Sequence, residues 1–202
     1  GGPCGQFLSE DSLNEGMCET VTTDHTDKAS LQKGAKIFMN YCYGCHSLKY
    51  ARYNRVAKDL GIPEDLFRAN LMFGDQKMGD LMTIGMSQDE AKEWFGIAPP
   101  DLTLETSLRG EDWIYTYLLS FYRDESRPFG VNNKVYQNVG MPNVLENLQG
   151  VQISSCKPVP LIAKNGGVKQ DPLTGEIMTQ EQCGFLEIEE KGEMTVNEFE
   201  ES

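Results

Sequence analysis

No stretch of this chain approaches the ~20 consecutive apolar residues that a membrane-crossing helix requires. Nor is there a basic and apolar leader: the sequence opens on Gly1-Gly2-Pro3-Cys4, as a mature or trimmed chain would. Basic residues are scarce, 18 Lys and Arg against 31 Asp and Glu, for a net charge of -13. Such a surface repels nucleic acid and anionic membrane and attracts basic partners. Histidine is scarcer still, with only His25 and His46. A second Cys-x-x-Cys is missing, which excludes a zinc ribbon built from two such pairs.

What is present is Cys42-Tyr43-Gly44-Cys45-His46. Cys-x-x-Cys-His is the attachment signature of a c-type haem. Two thiols two residues apart reach the two porphyrin vinyls from one turn of backbone. The adjacent histidine offers its imidazole to the iron. Redox dithiols share Cys-x-x-Cys but want a βαβ context, and the flanking sequence here reads as helix.

The helix is expected to start at Lys28 with Asp27 as its N-cap. Leu31, Ala35, Phe38 and Cys42 recur on one face, and Gly34 beside them would let another helix approach. Before it, residues 1–27 read as a polar extended arm. Lys49 to Arg55 reads as a short helix or turn, Pro63 to Leu71 as a helix, and 74–86 as loop. Ser87 to Glu90 is a capping box for a helix ending at Gly96. Pro99-Pro100 is extended. A stronger helix runs from Gly110 through Tyr122, and 126–140 is again loop. Residues 151–188 alternate apolar runs with turn signals and read as a hairpin insertion. Thr195 to Glu198 is a second capping box, so a helix begins there and stops at Ser202. So short a helix is unstable alone, and the expectation is a protein that continues past it.

Four cysteines lie outside the motif: Cys4, Cys18, Cys156 and Cys183. Haem attachment of this kind takes place outside the cytoplasm, where disulfides persist. Four cysteines allow three pairings. The simplest is local, Cys4–Cys18 with Cys156–Cys183.

The iron needs a second axial ligand. His25 would give bis-histidine ligation, and nine methionines offer a sulfur, which raises the reduction potential. Met141, after a long loop and before the stiff Pro142, is best placed, with Met82 and Met86 next. A ligating histidine usually gives its other ring N–H to a carbonyl, and one near Pro99-Pro100 is suited. A propionate wants an arginine fork; Arg52, Arg55, Arg109, Arg123 and Arg127 are available. No catalytic constellation accompanies these residues, so one-electron transfer is the expected task.

Asn40-Tyr41-Cys42-Tyr43-Gly44-Cys45-His46-Ser47-Leu48-Lys49-Tyr50, Ala98-Pro99-Pro100-Asp101-Leu102, Arg109-Gly110-Glu111-Asp112-Trp113 and Gly140-Met141-Pro142 occur in that order. Together they resemble the cytochrome c1 family of proteobacterial type, the haem subunits of quinol–cytochrome c oxidoreductase. The resemblance is close over residues 26–150. It implies a mainly α fold: a cytochrome c-type haem domain over 28–202, with long loops and a small β-hairpin insertion. It implies one covalent haem c on Cys42 and Cys45, with His46 and Met141 as iron ligands. Arg109 would pair with a propionate, and Pro99, Pro100 and Trp113 would line the pocket. Implied partners are the Rieske iron–sulfur protein, cytochrome b and a c-type cytochrome acceptor. The implied place is the periplasmic face of the bacterial inner membrane, held by a C-terminal anchor that these residues do not include. The alternatives are a free soluble c-type electron shuttle and, further off, a haem enzyme or ligand sensor.

Overall fold

The computed structural model describes residues 18–163 and 166–201. Its first helix, α1 (Lys28–Ile37), starts where the Asp27 carboxylate accepts from Ala29 N and Ser30 N, two donors that a helix N-terminus leaves without partners. The backbone then widens into a π-helical turn, Phe38–Cys42, a local form that recurs at functional sites. After the motif come β1 (Leu48–Arg52), α2 (Tyr53–Leu60), α3 (Glu64–Leu71), the two-residue β2 (Leu81–Met82) and α4 (Gln88–Phe95). The Ser87–Glu90 capping box is formed, and Gly96 ends α4 in the left-handed region. Next are α5 (Glu105–Arg109), α6 (Glu111–Leu119), β3 (Phe121–Arg123), β4 (Val131–Asn133) and α7 (Glu146–Gln149). The chain closes with β5 (Gly150–Pro160), β6 (Thr179–Lys191) and α8 (Val196–Glu200).

Helices account for 34% of the described residues, where they are interrupted by three two-stranded antiparallel sheets. The fold is therefore less helical than a mainly α reading expects. Two local causes stand out. Leu48–Arg52 pairs with Leu81–Met82 as a strand, because Lys49 N and Tyr50 N are taken by Asp101 and Thr103 from a distant segment. The helix expected to reach Tyr122 stops at Leu119, whose carbonyl accepts from the side-chain amides of Gln149 and Gln152 at 3.0 and 2.7 Å. Residues 121–123 then pair with 131–133. Gly34 does not admit a neighbour, since the space above it is open.

Among the described residues, three apolar clusters form the core. The first joins Met39, Tyr53, Ala57, Phe67, Leu71, Met72 and Met82. The second holds Phe121, Val131 and Val139. The third joins Leu145 and Leu148 to Phe199 of α8, with Ile37, Tyr41, Leu118 and Leu119 against it. Residues of the arm lie along α6: Glu19 N donates to Thr116 Oγ1 and Val21 N to Asp112 Oδ1, at 2.8 and 2.9 Å.

The two ends of the hairpin meet at a very close approach beside Leu148 of the third cluster. A Cβ on Gly150 would lie 2.2 Å from the Glu190 carbonyl oxygen, and one on Gly192 would lie 2.3 Å from that of Leu148. With φ +95 at Gly150 as well, only glycine is suited there. Higher up, Cys156 faces Cys183 across the ladder and the two are disulfide-bonded, the local pairing expected for them. Cys18 is disulfide-bonded too; Cys4 lies outside the described residues. Removing the staple with Cys156→Ser and Cys183→Ser together should cost about 3.5 kcal/mol of hairpin stability by loop-closure entropy. Denaturant unfolding of the double variant measures this, and unreduced peptide maps of the parent should recover the two cysteines in one linked fragment.

Candidate haem site

The motif is shaped by one carbonyl. Cys42 O accepts from both Cys45 N and His46 N, at 3.1 and 3.0 Å. This tight turn brings both thiols and the imidazole onto the end of the helix. Cys42 and Cys45 are the free cysteines of the described residues, whereas Cys18, Cys156 and Cys183 are disulfide-bonded. Burial, with Cys45 beside it, pushes the Cys42 thiol up to about 11, so it stays neutral.

His46 is buried, and its Nδ1 lies 2.8 Å from the Pro100 carbonyl oxygen. As that oxygen can only accept, Nδ1 carries the proton and Nε2 keeps its lone pair for a metal. The segment that carries Pro100 is itself held. Leu102 N donates to Ser47 O at 2.9 Å, and the Asp101 carboxylate accepts from Lys49 N and Thr103 N. Burial pushes the Asp101 pKa up, but these hydrogen bonds outweigh it and leave the group below the usual aspartate range.

A second group of residues forms a row spaced by four. The Arg109 guanidinium sits over the Trp113 ring, 4.3 Å from its centroid. Trp113 stacks on Tyr117, with centroids 5.1 Å apart and planes 9° from parallel. The Tyr117 hydroxyl donates to Met141 Sδ at 3.5 Å. Burial pushes the pKa of Tyr117 well above the usual tyrosine range. Ile97, two residues before Pro99, lies against Gly140, the residue before Met141. Of the other candidates, Met82 is packed in the first core cluster, as a gap-filling methionine would be. His25 is exposed and pairs with Glu111 at 3.7 Å. Of the other arginines, Arg52 donates to Gly79 O, Arg55 pairs with Asp59, and Arg123 pairs with Glu189 and Glu190. Arg109 also contacts Glu105 at 2.9 Å.

The chemistry of these residues fits a covalent haem. Two free thiols precede a histidine whose tautomer leaves Nε2 for iron, and a thioether sulfur and an arginine lie on one row. Trp113 Nε1 is buried with no hydrogen-bond partner, a donor suited to a propionate oxygen beside Arg109.

Sequence reasoning did not find what holds Met141 in place. Asn133 is fully buried: Oδ1 accepts from Val135 N and Tyr136 N, and Nδ2 donates to Tyr117 O at 2.8 Å. Asn132 Oδ1 accepts from Asn138 N, and Arg127 donates to Asn138 O and Val139 O. These three residues fix the course of the loop into Met141. The only trace of this in the sequence is an Asn-Asn pair in a segment read as loop.

A profile of the Cytochrome C1 family matches residues 19–72. Cytochrome c1 of Allochromatium vinosum is 60% identical over 140 residues, 69% of this chain and 57% of that protein. The ammonia monooxygenase gamma subunit of Nitrosomonas europaea is 46% identical over 147 residues, 73% of this chain and 62% of that protein. Cytochrome c1 of Rhodobacter capsulatus is 26% identical over 195 residues, 79% of this chain and 70% of that protein. The chain thus spans less than two thirds of the length of the first two relatives.

Asn133→Ala removes three buried hydrogen bonds at once. It should lower stability by about 3 kcal/mol, at roughly 1 kcal/mol for each bond. Urea unfolding should show the loss as a lower midpoint with an unchanged slope.

Proposed function

Because the chain belongs to the cytochrome c1 family of proteobacterial type, we propose that it relays single electrons within a membrane-bound quinol-oxidising complex. Family members carry one covalently bound haem c, and the attachment motif falls on Cys42 and Cys45. Bound haem supplies reversible one-electron exchange at iron. The rest of the task falls to the protein's own residues.

In this reading His46 and Met141 are the iron ligands. Pro100 keeps His46 in the tautomer that leaves Nε2 a lone pair. Arg109 and Trp113 hold a propionate, and Pro99 closes the pocket wall beside Pro100. The donor is a Rieske iron–sulfur protein and the acceptor a c-type cytochrome, with cytochrome b as the membrane-embedded neighbour. The assembly sits at the periplasmic face of the inner membrane. Among the described residues no helix is long and apolar enough to cross a membrane. The observation that carries the reading is the Cys42-to-His46 turn with His46 Nδ1 on the Pro100 carbonyl. A free soluble shuttle would use the same haem site. Co-purification with a Rieske protein and cytochrome b from solubilised membranes separates the two.

Replacing Met141 with Leu should abolish the weak near-infrared sulfur-to-iron band of the oxidised holoprotein and lower its potential. If the band survives unchanged, another methionine supplies the sulfur. The excess of carboxylates predicts steering of a basic or locally basic partner. Stopped-flow oxidation by a cationic cytochrome c should slow steeply as salt is raised and the Debye length shrinks to about 10 Å at 0.1 M. A rate that is flat or rises with salt leaves the charge as a solubility feature only.

A further inference from the structure

We propose that Tyr117 is a positioning residue for the Met141 thioether, its hydroxyl donating to the sulfur and holding it in one orientation. The proposal rests on the reading of Met141 as an iron ligand. A thioether sulfur has two lone pairs. A donor fixed against one leaves the other for the metal and draws electron density away from it. A sulfur polarised in this way is a poorer donor to ferric than to ferrous iron, so the contact favours the reduced state.

The surroundings of Tyr117 suit this task better than simple core filling. Its ring lies flat against Trp113 and edge-on to Phe121, with centroids 5.1 and 5.2 Å away. These contacts leave the ring no freedom to withdraw the hydroxyl. Its carbonyl accepts from Asn133 Nδ2, the same side chain whose Oδ1 takes Val135 N and Tyr136 N. Helix α6 therefore fixes the donor, and one buried asparagine ties that helix to the loop that delivers the sulfur. The 3.5 Å O···S contact closes a ring of interactions from Tyr117 through Asn133 and the loop back to Met141. A residue that only filled space would need neither the hydroxyl nor its aim at the sulfur.

The test uses the holoprotein with Tyr117→Phe, which keeps the ring and removes only the O–H, and Tyr117→Leu, which removes both. In Tyr117→Phe the near-infrared sulfur-to-iron band should persist. The ferrous–ferric equilibrium should move toward ferric by about 2- to 10-fold, the worth of one ordinary hydrogen bond. A tenfold shift reads as a potential about 59 mV lower. Tyr117→Leu should shift it at least as far in the same direction. The proposal is overturned if Tyr117→Phe keeps both the band and the parent potential, and equally if only Tyr117→Leu moves the potential, since ring packing would then set the sulfur. Absence of the band from the parent protein would overturn the ligation reading, and this proposal with it.

Discussion

The rest of the site depends on the hydrogen bond between His46 and the Pro100 carbonyl. An imidazole on a turn can rotate, and its two nitrogens are interchangeable until one is committed. The 2.8 Å contact commits Nδ1. For that contact to exist, residues 99–103 must lie against residues 47–49. The prolines keep this segment extended, so that it cannot satisfy its own polar groups as a helix would. It binds across instead, through Leu102 N to Ser47 O and through the Asp101 carboxylate to Lys49 N. The strand pairing of Leu48 with Met82 follows from the same constraint, because the backbone that receives these bonds is no longer free to coil.

The Met141 side is built on a different principle. There the polar groups that pair with the backbone are side chains, two of them, Asn132 and Asn133, buried among apolar ones. Asn132, Asn133 and Arg127 take up backbone groups that an irregular loop cannot pair by itself. A buried amide satisfied in this way specifies one course of the chain, since every alternative leaves it unpaired at a cost of ~1–3 kcal/mol per group. The Arg109–Trp113–Tyr117 row then sets the distance between that loop and α6. One side is held by backbone contacts to an extended segment, the other by side-chain amides.

The elements that were legible in the sequence are those governed by neighbours in the chain. Asp27, Ser87 and Thr195 cap helices through residues two or three positions on, and all three caps form. The hairpin was legible from its turns and its cysteines, and the haem motif from spacing alone. The short strands were not. Two to five residues carry too few alternations to show a period, and β1 exists because of Asp101 and Thr103, some fifty positions away. The end of α6 was misplaced for the same kind of reason, as Gln149 and Gln152 lie about thirty positions past the Leu119 carbonyl they claim. That Met82, a plausible ligand by sequence, packs among Tyr53, Phe67 and Leu71 is visible only in the fold.

The distribution of charge fits a division between holding and docking. Several of the scarce basic residues are engaged within the protein. Arg123 bridges β3 to Glu189 and Glu190 of the hairpin, Lys157 pairs with Glu187, and Arg55 pairs with Asp59. Exposed pairs of this kind contribute at most ~1 kcal/mol each, so they orient elements more than they stabilise them. Their consequence lies outside. Each such pair is neutral, so the excess of 31 acids over 18 bases is left as an outward field that extends over roughly a Debye length. The site itself is held by thiols, buried amides and carbonyls that salt does not screen. A protein arranged this way can exchange partners at rates that change with ionic strength while the geometry around His46 and Met141 stays fixed.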